Sequence, residues 1–326
     1  MNILITGGGG FLGFRLAKTL LARGTLGGRP VSSITLLDGA FPPAAAQEPR
    51  LKAVIGDVSD AVTIARVCTP DTDAVFHLAA VVSGAAEADF DLGMRVNYKG
   101  MELLLAQMRK CRKDGAPAPR LVYTSSVAAF GGELPPVLDD STIANPQTSY
   151  GAQKVIGEYL VSDYSRKGFI DGRSLRLPTV VVRAGKPNAA ASSFASGIIR
   201  EPLNGVVSEC PVGPETGVWL LSPGRVVEAF IHAWELPPEA WGTQRWLNLP
   251  GTTATVAQMV EALRKVAGDE VAKRVVYKAD ARIQAIVKTW PVNFRTPRAL
   301  ELGFKPDPDM ESVIRAYIAD ENIHLK

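Results

Sequence analysis

Thr6-Gly7-Gly8-Gly9-Gly10-Phe11-Leu12-Gly13 separates a short apolar run, Ile3 to Thr6, from a helical pattern in which Leu12, Leu16 and Leu20 recur. Glycines at such a strand-to-helix junction let the backbone turn sharply and approach a pyrophosphate. The phosphate charge is then met by the helix N-terminus. A glycine run by itself is only a turn, so the context decides. A second apolar run, Ile34 to Asp38, follows after the break at Gly24 to Pro30 and ends in a carboxylate. This is a βαβ unit, and it predicts a nucleotide site built from Gly7, Gly10, Phe11, Leu12, Gly13 and Asp38.

Asp38 is placed to accept hydrogen bonds from the ribose hydroxyls of a bound adenosine, although an aspartate there can equally cap a turn. Its charge repels a 2′-phosphate, and Gly39 and Ala40 supply no arginine to neutralise one, so NAD is expected rather than NADP. Asp57, at the end of a third run, Ala53 to Asp57, and Val58 after it are candidate adenine contacts. His77-Leu78-Ala79-Ala80 closes a fourth run with small residues beside the cofactor.

The strand-like runs continue with Leu121 to Ser125 and Leu175 to Val182, and helical stretches over Ala88 to Cys111 and Tyr150 to Arg166 fill two later crossovers. Runs without in/out alternation are those of strands covered on both faces. The predicted fold class is therefore α/β, a Rossmann doubly wound parallel sheet over 1–182, with a returning segment at 216–248. A smaller α/β substrate domain over 183–326 is expected, with helices at Arg225 to Glu235, Val256 to Ala267 and Met310 to Asp320 and short strands at Arg245 to Leu249 and Val275 to Tyr277.

Composition narrows the function. The chain has 326 residues, 46% hydrophobic and 21% charged, close to soluble globular norms. Its 36 basic and 33 acidic residues give a net charge of +3. The basic cluster Arg109, Lys110, Arg112 and Lys113 falls at a helix end, where cations are favoured, so no nucleic-acid partner is expected. Cys68, Cys111 and Cys210 lack paired spacings, and only His77, His232 and His324 are available. Neither a metal centre nor a Ser/His/Asp hydrolase is expected. The start Met1-Asn2-Ile3-Leu4-Ile5-Thr6 has no basic leader, and no apolar run approaches the ~20 residues of a membrane span, so a cytoplasmic protein is expected, without membrane partners.

Tyr150-Gly151-Ala152-Gln153-Lys154 carries the chemistry. Four residues apart on a helix, Tyr150 and Lys154 share a face, so the ammonium can stabilise the ionised phenol. A phenol with reference pKa ~10 acts as a base near neutrality only with such help. Ser126, at the end of a strand 24 residues before the tyrosine, can hold a substrate oxygen against the phenol.

Together these motifs resemble the extended short-chain dehydrogenase/reductases, the NAD-dependent epimerase/dehydratase group, over roughly residues 1–235. The resemblance implies Tyr150 as catalytic acid/base, Lys154 holding both the cofactor ribose and the phenol's ionisation, and Ser126 as third member. It also implies Asn97 as a support for the site and Thr179 as a backbone contact to the nicotinamide amide. From the residues alone Asn97 is a mid-helix polar residue of no evident purpose. Thr124-Ser125-Ser126 stands where dehydratases carry Thr-Asp-Glu, which argues against dehydration. The family also suggests a homodimer packed through the helix before Cys111 and the Tyr150 helix.

A closer likeness, to a branch acting on four-carbon sugar acids, is carried by His77-Leu78-Ala79-Ala80-Val81-Val82-Ser83-Gly84 and by Leu177 to Phe194. Ala184 and Gly224 depart from that branch, where proline and arginine are expected. A small hydroxy acid needs a cation for its carboxylate and short polar groups for its hydroxyls. Ser83, Lys186, Asn188, Ser192, Ser193 and Arg225 are the candidates, beside Ser126 and Tyr150; Ser83 is also a candidate cofactor contact. The expected reaction is NAD-dependent oxidation of a 2-hydroxy sugar acid, D-erythronate above all. The alternatives are a nucleotide-sugar epimerase and, remotely, a non-catalytic NAD-sensing protein.

Overall fold

A computed structural model describes residues 1–112, 115, 117–185 and 191–325 of the chain. It divides into two compact units, each with its own core. The first comprises Met1–Ala129, Thr148–Arg176 and Val227–Leu247, the second Phe130–Gln147, Leu177–Val226 and Asn248–Lys326.

The first unit carries β1 (Asn2–Thr6), α1 (Phe11–Arg23), β2 (Ser33–Asp38), β3 (Leu51–Ile55), α2 (Ala61–Val67) and β4 (Ala74–His77). It continues with α3 (Ser83–Ala88), α4 (Phe90–Gly93), a wider π-type turn over Met94–Lys99, α5 (Gly100–Cys111), β5 (Arg120–Ser126), α6 (Ser149–Arg166) and β6 (Asp171–Leu177). Helix α7 (Pro223–Glu235) and β7 (Trp246–Asn248) return to it. The sheet order is β7-β6-β5-β4-β1-β2-β3. Parallel ladders join β1 to β2 and β4, β2 to β3 and β4 to β5. Strand order reverses beside β1, so a crevice opens at the carboxyl ends of β1 and β4, where ligands of such sheets bind.

The apolar pattern explains the layers. Leu4, Leu37 and Val75 from the strands are packed with Ile64 and Val67 of α2, Leu104, Leu105 and Met108 of α5 and Val161 of α6. α1 buries Leu16, Ala17, Leu20 and Leu21, ends at Gly24 in the left-handed region, and carries Arg23 in its last turn. Both cores fill by helical spacing. In the second unit Ile198, Ile199 and Leu203 of Ser193–Leu203 pack with Met259 and Leu263 of Val256–Ala267 and with Val313, Ile314 and Tyr317 of Met310–Asp320.

Three expected elements differ. The third strand runs Leu51–Ile55 rather than to Asp57, because the chain turns at Gly56-Asp57 toward the capping Asp60 of α2. The helix expected over Ala88 to Cys111 is broken at Asp89, whose backbone is extended, and then runs through α4, the π-type turn and α5. The strand expected over Leu175 to Val182 begins instead at Asp171, and Thr179–Val180 forms a separate ladder with Leu220 and Leu221 in the second unit. Its early, charged part is buried because Arg173 and Arg176 find carboxylate partners in Asp171 and Glu158. Among the described residues no helix is long and apolar enough to cross a membrane.

Candidate active site

The loop after β1 meets the requirements of a pyrophosphate cradle. Gly7 adopts φ +71°, and a Cβ there would sit 2.7 Å from the backbone nitrogen of Ala79; a Cβ on Gly13 would sit 2.1 Å from the Gly7 carbonyl oxygen. Neither position admits a side chain without moving backbone. Gly10 is the N-cap of α1 and brings no side chain, so nothing from the cap covers the positive end of the helix dipole.

Asp38 is at the end of β2 and accepts from the Gly9 N–H at 3.0 Å and the Gly39 N–H at 2.7 Å. The two bonds are those of a turn cap, and they leave the carboxylate capacity for more. An ionised carboxylate has about four lone-pair sites, so two remain for the hydroxyls of an adenosine ribose. The cradle and this acceptor fit NAD. Asp57 is turned elsewhere: Ser59 donates to it from its N–H at 2.8 Å and its hydroxyl at 2.7 Å, and Arg95 at 2.6 Å. Val58 is buried in the core. Across the crevice, the Leu78 N–H donates to the Thr6 carbonyl at 3.0 Å and leads Ala79 and Ala80 past Gly7.

The Tyr150/Lys154 pair lies in the same unit. Thr148 caps α6 by accepting from the Gly151 N–H at 3.1 Å, and the Ser149 N–H donates to Glu87 of α3 at 2.8 Å. These contacts fix the first turn, which carries Tyr150. Lys154 is buried, with Nζ 5.6 Å from the centre of the Tyr150 ring and 5.0 Å from that of Tyr123, and it donates to the Thr124 carbonyl at 2.7 Å. Burial pushes the Lys154 ammonium down to about 7, against the opposing pull of Glu158. Ser126, two residues past that carbonyl, accepts from the Ala128 N–H at 3.1 Å, which leaves its hydroxyl hydrogen to donate.

His77 is a packed histidine. Its Nδ1 is 2.6 Å from the Thr6 hydroxyl, and burial, then the Lys154 charge, push it down to about 3, so it stays neutral. Asn97 has a purpose that its sequence position hides. Within the π-type turn its Oδ1 accepts from the Val81 N–H at 2.8 Å while its Nδ2 donates to the Val81 carbonyl at 3.0 Å and to Gln153 Oε1 at 2.7 Å. The amide thus clamps the loop after β4 and ties it to α6. The Val81 N–H and carbonyl fix which end of that amide faces which partner, and Asn97 Nδ2 in turn requires Gln153 to present its oxygen. Together with Glu158 and Ser125, Gln153 is a site residue that sequence reasoning missed; only its position inside the Tyr-to-Lys motif hinted at it.

Of the proposed substrate contacts, Ser83 begins α3 and Ser126 ends β5 in the first unit. Thr179, Ser192, Ser193 and Arg225 belong to the second unit. There Ser192 is the N-cap residue of Ser193–Leu203, and the Arg225 N–H donates to the Ser222 hydroxyl at 3.3 Å; that serine is itself held by buried Asp307 at 2.7 Å through both its N–H and its hydroxyl. Lys186 and Asn188 lie outside the described residues, as does Lys113 of the basic cluster. The cysteines hold one surprise: Cys111, 43 residues on in the chain, donates its thiol to the Cys68 carbonyl at 3.4 Å.

A dinucleotide cradle with an acidic ribose acceptor, joined to a Tyr/Lys pair and a strand-terminal serine, defines an NAD-dependent oxidoreductase of the short-chain dehydrogenase type. Residues 3–234 match the NAD dependent epimerase/dehydratase family, and the chain belongs to it. It is 56% identical to the D-erythronate dehydrogenase of Cupriavidus necator over 99% of both chains. It is 44% identical to the enzyme of that name from Haemophilus influenzae, over 98% of this chain and 99% of the relative. Among solved structures, one described as a nucleoside-diphosphate-sugar epimerase from Agrobacterium tumefaciens superposes with a TM-score of 0.95 at 41% identity, covering 100% of this chain and 96% of that one.

Proposed function

We propose that this enzyme oxidises D-erythronate to 2-oxo-D-erythronate with NAD. The observation that carries the reading is the 56% identity, over 99% of both chains, to a relative named for that substrate. The physical fit supports it. NAD, when bound, accepts the hydride that leaves C2. Tyr150, as phenolate, takes the C2 hydroxyl proton, while Lys154 holds that phenolate by its charge and Ser126 donates to the substrate oxygen. Asn97, held by Gln153, keeps Val81 and with it Ala79, Ala80 and Ser83 in place. NAD is assigned to the first unit, at Gly7, Gly10, Phe11, Leu12, Gly13, Asp38 and Leu78, with Thr179 a further contact, whereas the contacts expected of Asp57 and Val58 are not proposed, since the one carboxylate is held by Ser59 and Arg95 and the other side chain is buried in the core. Arg225 is assigned to the acid's carboxylate and Ser192 to its hydroxyls, and the enzyme is assigned to the cytoplasm.

The test is NADH formation at 340 nm with NAD and, separately, D-erythronate, L-erythronate, D-threonate and L-threonate, with NADP in parallel. Turnover of D-erythronate with NAD and not NADP is expected, and Arg225→Met should raise KM for the acid while leaving that for NAD unchanged. Silence on all four acids with NAD binding intact overturns the reading. The second reading, a nucleotide-sugar epimerase, is favoured by the likeness to the Agrobacterium protein, and such an enzyme interconverts its sugars with no net NADH. We also propose a homodimer packed through α5 and α6. Tyr159 and Ile156 are exposed on α6, and the dimeric mass should be seen by light scattering; a monomer at micromolar concentration refutes it.

A further inference from the structure

We propose that Glu158 and Arg176 are a positioning pair for this reaction: Glu158, one helical turn beyond Lys154, supplies the negative charge that keeps the Lys154 ammonium charged inside the protein, and Arg176 fixes that carboxylate in place. The inference rests on Tyr150 and Lys154 acting as described above.

The geometry is closed on every side. The side chains of Glu158 and Arg176 are 2% and 4% exposed. Arg176, on β6, reaches across with Nε and one terminal nitrogen to the two carboxylate oxygens at 2.8 and 2.6 Å, a bidentate fork, and the Ser125 hydroxyl donates to the same carboxylate at 2.5 Å. Ser125 stands between Thr124, whose carbonyl accepts from Lys154, and Ser126. The end of β5 is therefore gripped from α6 at consecutive residues, by the lysine and by the glutamate.

The groups around Lys154 leave Glu158 no substitute. From α6 it is faced by Tyr150 and Glu158, from β5 by Tyr123, from β4 by His77, and from β6 by Arg176 through Glu158. Tyr123 stays neutral, pushed well up by burial and then by Glu158, and His77 stays neutral as well. The charged members are Lys154, Glu158 and Arg176. With a neutral phenol they carry one positive charge, which the Tyr150 phenolate cancels. A buried ion pair is a weak source of stability, since apolar replacements of similar volume are often neutral or better. Its place beneath a buried catalytic lysine gives it an electrostatic use.

The deciding experiment titrates Lys154 in the apoprotein by NMR of 13Cε-labelled lysine, with the resonance assigned by its loss in Lys154→Arg. Glu158→Gln should lower the midpoint by at least about one pH unit, a tenfold loss in proton affinity. Glu158→Leu/Arg176→Met, which removes the neighbouring guanidinium together with the carboxylate, should lower it by less, and Arg176→Lys should leave it near wild type. A role in packing alone would change melting temperatures and leave the midpoint where it was; an unmoved midpoint in both Glu158 variants overturns the proposal. With D-erythronate as substrate, the alkaline limb of kcat should move down with the midpoint. Wild-type silence on all the acids would sink the substrate assignment while leaving the NMR result to decide this one.

Discussion

Tyr150→Phe is expected to abolish NADH formation while NAD binding stays near wild type. The hydroxyl is the one group on the face of α6 that Lys154 can help to ionise, and proton transfer by a positioned side chain contributes about 10²–10⁴-fold to rate. Two features make the loss fall at the upper end. His77, the nearest alternative base by type, is committed to Thr6 and kept neutral by burial. Tyr123, the other phenol near Lys154, is buried and pushed well above its ordinary range, so it cannot take over. The cradle at Gly7 to Gly13 and the Asp38 acceptor lie on other elements, so binding of the dinucleotide, read by calorimetry or by quenching of protein fluorescence, should survive. Turnover within a few-fold of wild type in this variant would defeat the assignment of Tyr150, whatever the substrate proves to be.

What was legible in the sequence is what short spacing encodes. The glycine loop, Asp38 at a strand end and the Tyr150/Lys154 pair each depend on residues close in the chain, and a crevice forms wherever such a βαβ unit closes. The supporting residues depend on pairings that no local pattern reveals. Asn97 looks like a stray polar residue in a helix because its partners, Val81 and Gln153, lie 16 and 56 positions away. Asp171-Gly172-Arg173-Ser174-Leu175-Arg176-Leu177 does not look like a buried strand, since charge normally forbids one. It becomes one because Asp171 receives Arg120 at 2.8 Å, Arg173 at 2.7 Å and Arg245 at 3.0 Å, and Glu158 receives Arg176 at 2.6 Å. Hydrophobic patterning missed the start of that strand for the same physical reason that makes it useful: its charges are neutralised by elements far apart in sequence.

Lys154→Met should separate stability from activity, with opposite signs. Burial holds the folded-state lysine at about 7, below the ordinary 10.5 that it regains on unfolding. Between those values the unfolded chain binds the extra proton, so wild-type stability rises with pH across that window and the burden of the buried charge is complete below about pH 7. The methionine variant carries no such burden, and it keeps the Glu158–Arg176 pair while losing the hydrogen bond to the Thr124 carbonyl. Its melting temperature relative to wild type should therefore be highest at pH 6 and fall toward pH 9. Catalysis moves the other way: without the ammonium the Tyr150 phenol loses the charge that favours its ionised form, and because proton transfer by a positioned side chain contributes about 10²–10⁴-fold to rate, kcat should fall by about two orders of magnitude or more. Calorimetric scans at the two pH values and NADH initial rates test both halves. A difference in melting temperature that is independent of pH would mean that Lys154 binds its proton as tightly in the folded protein as in the unfolded chain, so that burial places no burden on its charge.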